Sequence, residues 1–202
     1  MQPISRRDVL KQLGTAMGVA TVLPLSASAR ARAQAALGES YRSFTPSEAE
    51  TVKAIVSRLI PADENGPGAL EARVDRYIDR ALSGALKSSR ASYSTGLAAV
   101  NAQAQSLKGM SFSRLSPGDQ DAVLTNIEQT NNAFFGLIRM HTIQGMFSDP
   151  FYGGNANFVG WDLIGYPGAR TAVSANLQGL DRRPEPSRKS AYDYGMFSKA
   201  EL

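Results

Sequence analysis

Thr45-Pro46-Ser47-Glu48-Ala49-Glu50-Thr51-Val52-Lys53-Ala54-Ile55-Val56-Ser57-Arg58-Leu59-Ile60-Pro61 reads as a helix with both ends marked. Thr45 can cap the first turn. Pro46 suits the first helical position, where the amide hydrogen it lacks would have no partner, and Glu48 completes a capping box. Val52, Ile55, Val56, Leu59 and Ile60 recur at three- and four-residue steps and so share one face. Pro61 disfavours helical backbone at the residue before it, which ends the run.

The same grammar continues downstream. Asp63-Glu64-Asn65-Gly66-Pro67-Gly68 is a turn cluster. A second helix is expected from about Ala69 to Leu82, with Val74, Tyr77, Ile78 and Leu82 on one side and Ser83-Gly84 closing it. A third is expected from about Lys87 to Leu107, with Tyr93, Leu97, Val100, Ala104 and Leu107 inward and Gly109 as its stop. Ser116-Pro117-Gly118-Asp119 repeats the capping logic for a fourth helix, reaching about Glu128 and burying Val123, Leu124 and Ile127. The fifth, about Asn132 to Phe147, carries Phe134, Phe135, Leu137, Ile138, His141, Met146 and Phe147. It is apolar nearly all round, which predicts a central position. No stretch alternates with the period of a strand, and no hairpin signal appears.

The predicted fold is therefore all-α: a single helical domain of about five helices, an irregular Gly/aromatic-rich C-terminal third and an extended tail. Residues 1–29 read as a leader, 30–44 as an Ala/Arg/Ser-rich linker, 45–170 as the helical domain and 171–202 as the tail. Within residues 151–168 five of 18 positions are glycine and five are aromatic, including the only tryptophan. Tight turns carrying large amphipathic rings serve either as scaffold or as an interface. Tyr152, Phe158, Trp161 and Tyr166 are the candidate contact residues. Tyr192, Tyr194 and Phe197 join them from the tail, which lacks helical periodicity and reads as an arm that takes its core from something else.

Upstream, Ser5-Arg6-Arg7-Asp8-Val9-Leu10-Lys11 resembles the twin-arginine export signal, with Val9 where phenylalanine is usual. Residues 12–29 are uncharged and mildly apolar, Pro24 interrupts them, and Ala27-Ser28-Ala29 is a small-residue cleavage site. Ala33-Gln34-Ala35 is a second candidate, and retention of the segment as an uncleaved anchor is a rival outcome. Arg6 and Arg7 are the predicted export residues, with the twin-arginine (Tat) translocase as their receptor. The expected location is the periplasm.

Composition narrows the chemistry. Cysteine is absent and His141 is the only histidine, which excludes disulfides, thiolate metal sites, attached c-type haem and multi-histidine centres. The chain holds 22 Lys/Arg against 18 Asp/Glu, a net charge of +4. Three of those basic residues and one acidic residue lie within residues 1–29, so little excess is left for a nucleic-acid footprint. No phosphate-cradling glycine motif and no nucleophile elbow is present. Asp63, Glu64, Asn65 and Asp149 do not have the spacing of a calcium loop. His141 is expected to hydrogen-bond a backbone carbonyl. No catalytic, cofactor-binding or metal residue is predicted in the chain, and its status as an enzyme stays open. A standalone periplasmic enzyme using His141, or a sugar-binding module stacking its ligand on Trp161, is the alternative.

Two stretches together resemble the gluconate 2-dehydrogenase subunit 3 family. The first is Leu59-Ile60-Pro61-Ala62-Asp63, then Gly66-Pro67-Gly68-Ala69, then Tyr77-Ile78-Asp79. The second is His141-Thr142-Ile143-Gln144-Gly145, then Asp149-Pro150, then Tyr152-Gly153-Gly154-Asn155, then Gly160-Trp161 and Ile164-Gly165-Tyr166-Pro167-Gly168. Met146 stands where phenylalanine is more usual. The resemblance covers about residues 45–170. It implies a non-catalytic small subunit beside an FAD-binding large subunit of the glucose–methanol–choline oxidoreductase type, with a multihaem cytochrome c subunit completing the complex. FAD and haem c would then belong to those partners. The complex would sit at the outer face of the inner membrane, oxidising a sugar acid or polyol, with gluconate to 2-ketogluconate the default reaction. The leader would carry the folded, flavin-loaded partner outward.

Overall fold

The computed structural model describes residues 40–175 and 184–195, and those from Tyr41 onward belong to one unit. Six α-helices run through the described residues: α1 (Pro46–Leu59), α2 (Val74–Leu82), α3 (Arg90–Lys108), α4 (Pro117–Thr130), α5 (Asn132–Phe147) and α6 (Val159–Ile164). They contain no β-strand, only one isolated bridge between Asp63 and Gly66 in the turn cluster. The all-α expectation holds. No helix among the described residues is long and apolar enough to cross a membrane.

Local signals placed α1, α4 and α5 well. Thr45 accepts from the Glu48 amide and its own amide donates to the Glu48 carboxylate, closing the capping box. Ser116 caps α4 through the Asp119 amide. Val52, Ile55 and Val56 of α1 pack with Val100 and Ala104 of α3 and Val123 of α4 in one apolar core.

Three expectations need correction. First, α2 begins at Val74 rather than Ala69. The residues before it are drawn into tertiary pairings: the Ala69 amide donates to Ile60 O and the Ala156 amide donates to Ala72 O. Arg73 is left-handed (φ 56°), which a continuing α-helix does not allow. Second, Leu107 is half-exposed on the open side of the last turn of α3. Third, α5 touches α1, α2, α3, α4 and α6, yet it is not covered all round. Met140 and Ile143 are 48% and 50% exposed.

Two carboxylates of α2 point inward. Asp75 accepts from the Tyr41 hydroxyl. Asp79 accepts three backbone amides of the segment leading into α1: Arg42 on Oδ2 at 2.8 Å, and Ser43 and Phe44 on Oδ1 at 2.8 and 3.0 Å. A single buried side chain thus fixes the direction in which the chain approaches the bundle.

Candidate functional site

The sequence-predicted aromatics form two separate clusters on a segment folded over the end of α5. Asp149 builds the first. It caps the 3₁₀ turn Pro150–Tyr152, its Oδ1 accepting from the Phe151 amide at 2.9 Å and the Ser190 hydroxyl at 2.6 Å. Its Oδ2 accepts from the Ala191 amide at 2.8 Å. Ser190 and Asp193 form a capping box around the turn Ala191–Asp193. These bonds lay Tyr192 flat on Phe151, with ring centroids 3.7 Å apart, and bring the Tyr152 and Tyr192 hydroxyls within 2.8 Å. That hydroxyl contact raises the pKa of Tyr152, with burial adding to it. Arg80 reaches across from α2 and donates to Phe151 O at 3.0 Å.

Asn155 builds the second cluster. It is fully buried and left-handed (φ 44°). Its side-chain Nδ2 donates to Ser148 O at 2.9 Å, and its Oδ1 accepts from the Gly160 amide at 2.8 Å and the Trp161 amide at 3.4 Å. Asn157 and Phe158 are left-handed as well. Such conformations cost free energy and persist where the surroundings over-determine them; here the Asn155 bonds and the docking of Trp161 supply that constraint. Trp161 is only 5% exposed, and its indole N–H donates to Phe147 O at 2.8 Å. Phe158 lies against it, and Tyr166 packs edge-on at 4.9 Å. The sequence reading had not separated anchors from scaffold: in this chain Trp161 is scaffold, while Tyr152 and Tyr166 keep open surface.

Residues 184–195 of the tail lie on this same segment, with a left-handed residue at Arg188 and one 3₁₀ turn at Ala191–Asp193. Ser187 donates to Pro167 O, Arg188 pairs with Asp162, and the Tyr194 hydroxyl donates to Ala169 O. Tyr192 and Tyr194 are therefore half-buried within their own chain. Phe197, Arg6 and Arg7 lie outside the described residues. Asp149, whose expected role is in a helix turn, caps the turn Pro150–Tyr152; Asn155 and Ser190, which complete the segment, are not marked as organisers by local sequence alone. Asp149-Pro150 as a turn opener and Ser190-x-x-Asp193 as a capping box were the available signals.

His141 is buried, and its partner differs from the expected backbone carbonyl. Nδ1 lies 3.0 Å from the Tyr93 hydroxyl, with the two rings stacked. α3 and α5 meet here, so the buried phenol and the buried imidazole satisfy one another. Burial lowers the pKa of His141 and raises that of Tyr93, keeping the pair neutral. Because the unfolded imidazole takes its proton near 6.5 and the folded one only at lower pH, acid favours the unfolded chain. The His141 contribution is complete above about pH 6.5 and is lost as pH falls from there through the lower folded value. Urea unfolding of wild type and His141→Gln at several pH values should show a decline below this point that the variant lacks. Parallel profiles would refute it.

Among the described residues no group of three or more His, Cys, Asp or Glu could hold a metal ion. The side-chain polar atoms of Asp149 and Asn155, which build the two clusters, are spent on internal bonds. What faces outward is Tyr152, Tyr166, Leu163, Ile164, Met140 and Ile143. The fold and site thus define a small helical domain with a partly exposed aromatic and aliphatic surface. The family model described as gluconate 2-dehydrogenase subunit 3 matches residues 46–168, from the first residue of α1 to the close of the Gly/aromatic block. The chain belongs to that family, and membership implies a place in a multi-subunit gluconate dehydrogenase complex. Neither a curated protein nor a solved structure matched it.

Proposed function

We propose that the chain is the non-catalytic small subunit of an FAD-dependent sugar-acid or polyol dehydrogenase of the gluconate 2-dehydrogenase type. It binds the large flavoprotein subunit, of the glucose–methanol–choline oxidoreductase type, and supports its maturation. Its twin-arginine leader takes the folded pair across the inner membrane to the periplasmic face. A multihaem cytochrome c subunit there receives the electrons. FAD and haem c belong to those partners.

The family match carries this reading. The burial of His141 against Tyr93 supports it too, since the one side chain with a near-neutral pKa is committed to the core. The reading of a standalone enzyme using His141 gains nothing from that geometry. The test is to co-express the subunits with Arg6→Lys and Arg7→Lys together. Fractionation should find the flavoprotein folded and FAD-loaded in the cytoplasm, with periplasmic activity at background. Export of an active large subunit at the wild-type level would overturn the role.

A further inference from the structure

Residues 187–194 of the tail are laid on the body as a bound peptide would be. Their hydrogen bonds, ion pair and ring contacts run to residues 149–169 or stay among themselves; among the described residues none reaches α1–α5. Three positions carry the fit. Arg188 donates to Asp162 at 2.8 Å and to Asn157 O at 3.3 Å. Two residues on, the Ser190 hydroxyl and the Ala191 amide close on the two oxygens of Asp149. Two further on, Tyr192 stacks on Phe151 and meets the Tyr152 hydroxyl. Pro167 O and Ala169 O accept from the Ser187 amide and the Tyr194 hydroxyl and set the direction of the chain. Arginine, serine and tyrosine at i, i+2 and i+4 thus face one carboxylate, a second carboxylate and an aromatic ring. Charge, hydrogen bonding and stacking each select one residue type.

The platform is built by bonds of its own. Asp149 caps Phe151 within its own turn, Asn155 holds the start of α6, and Trp161 is seated on Phe147 O. The strap in turn brings little to the core. Of residues 184–195 only Ser190 is buried, and none belongs to the apolar core. Segments with few buried apolar contacts open at free energies below that of global unfolding.

We infer that residues 149–169 form a peptide-recognition site for an Arg-x-Ser-x-Tyr segment, that residues 188–192 occupy it in cis, and that this strap releases and redocks while the helices stay folded. Another chain offering the same three groups must displace the strap, which, being part of the same molecule, competes at an effective concentration of about millimolar. The site stands on contacts within this chain and is independent of the subunit role.

The test uses the full chain and a fluorescent peptide of residues 184–195. Arg188→Asn with Tyr192→Ala vacates the site by weakening the strap; asparagine is chosen because it tolerates the left-handed backbone of Arg188. By anisotropy this variant should bind the wild-type peptide saturably, at least about tenfold more tightly than the wild-type chain, whose own strap competes. A peptide carrying the same two substitutions should bind neither chain. Trypsin should cut after Lys189 about tenfold or more faster in the variant, because cleavage tracks the open population. The urea midpoints of the two chains and the emission maximum of Trp161 should stay alike, since Phe147 O still holds the indole. No binding by the variant, equal affinity of the two chains for the peptide, or cleavage at one common rate overturns the site and leaves the subunit role as it was. A fall in the urea midpoint of the variant in step with its faster cleavage would tie the strap to the core and overturn its independent release.

Discussion

Asp79→Ala is expected to lower the stability of the folded chain by about 3–5 kcal/mol, in the range seen when a buried charged partner is removed. Its carboxylate accepts the backbone amides of Arg42, Ser43 and Phe44. Each stranded amide costs about 1–3 kcal/mol, more where water cannot reach it. The Phe44 amide is the most deeply placed, since Phe44 itself belongs to the core. Loss of the carboxylate also frees Phe44 from its packing on Tyr93, 5.8 Å away between centroids. Asp79→Asn keeps one acceptor oxygen and should recover part of the loss. In urea titrations the order wild type, Asn, Ala is expected, with the alanine variant melting about 10 °C lower or more. A loss under about 1 kcal/mol would mean that the three amides find other partners and that Asp79 does not hold the segment.

Gly160→Ala should have an effect as large but confined to one region. A Cβ there would stand 1.9 Å from Met146 O and 3.1 Å from Asn155 Oδ1. Neither can yield: the first is helix backbone at the end of α5, and the second is the acceptor that holds the start of α6. The segment must lift, at a cost of about 3 kcal/mol on the scale of forced overpacking. Trp161 follows at once in the chain and is the only tryptophan, so its fluorescence reports the event directly. The emission of the variant should shift to the red as the indole leaves Phe147 O and meets water, while far-ultraviolet circular dichroism retains the signal of α1–α5. Unchanged emission would show that the backbone approach is not needed to seat the segment.

These two residues mark the division between what could be read and what could not. The capping box of α1, the serine cap of α4 and both ends of α5 are written within four residues of where they act, and they were legible. So was the family resemblance, because its motifs are short contiguous runs. The late start of α2 was hidden, since Ala69 and Ala72 are diverted by Ile60 and Ala156, far along the chain. α6 was missed because six residues between left-handed turns show no periodicity worth the name. Asp79 acts through partners that only folding brings near, reaching back 35 to 37 residues, and Asp149, besides its local cap on Phe151, reaches forward about 41. His141 was recognised as a core histidine, but a partner 48 residues earlier was beyond local reading. Burial divides the aromatic block into the seated Trp161 and the exposed Tyr152 and Tyr166, a division that composition does not reveal.

The grip of Asp79 on residues 42–44 has a bearing on processing. Both small-residue cleavage motifs, Ala27-Ser28-Ala29 and Ala33-Gln34-Ala35, fall upstream of that grip. A peptidase could cut at either and the first foothold of the domain would survive unaltered. Removal of residues 1–29, or of residues 1–35, would leave every bond of that grip in place.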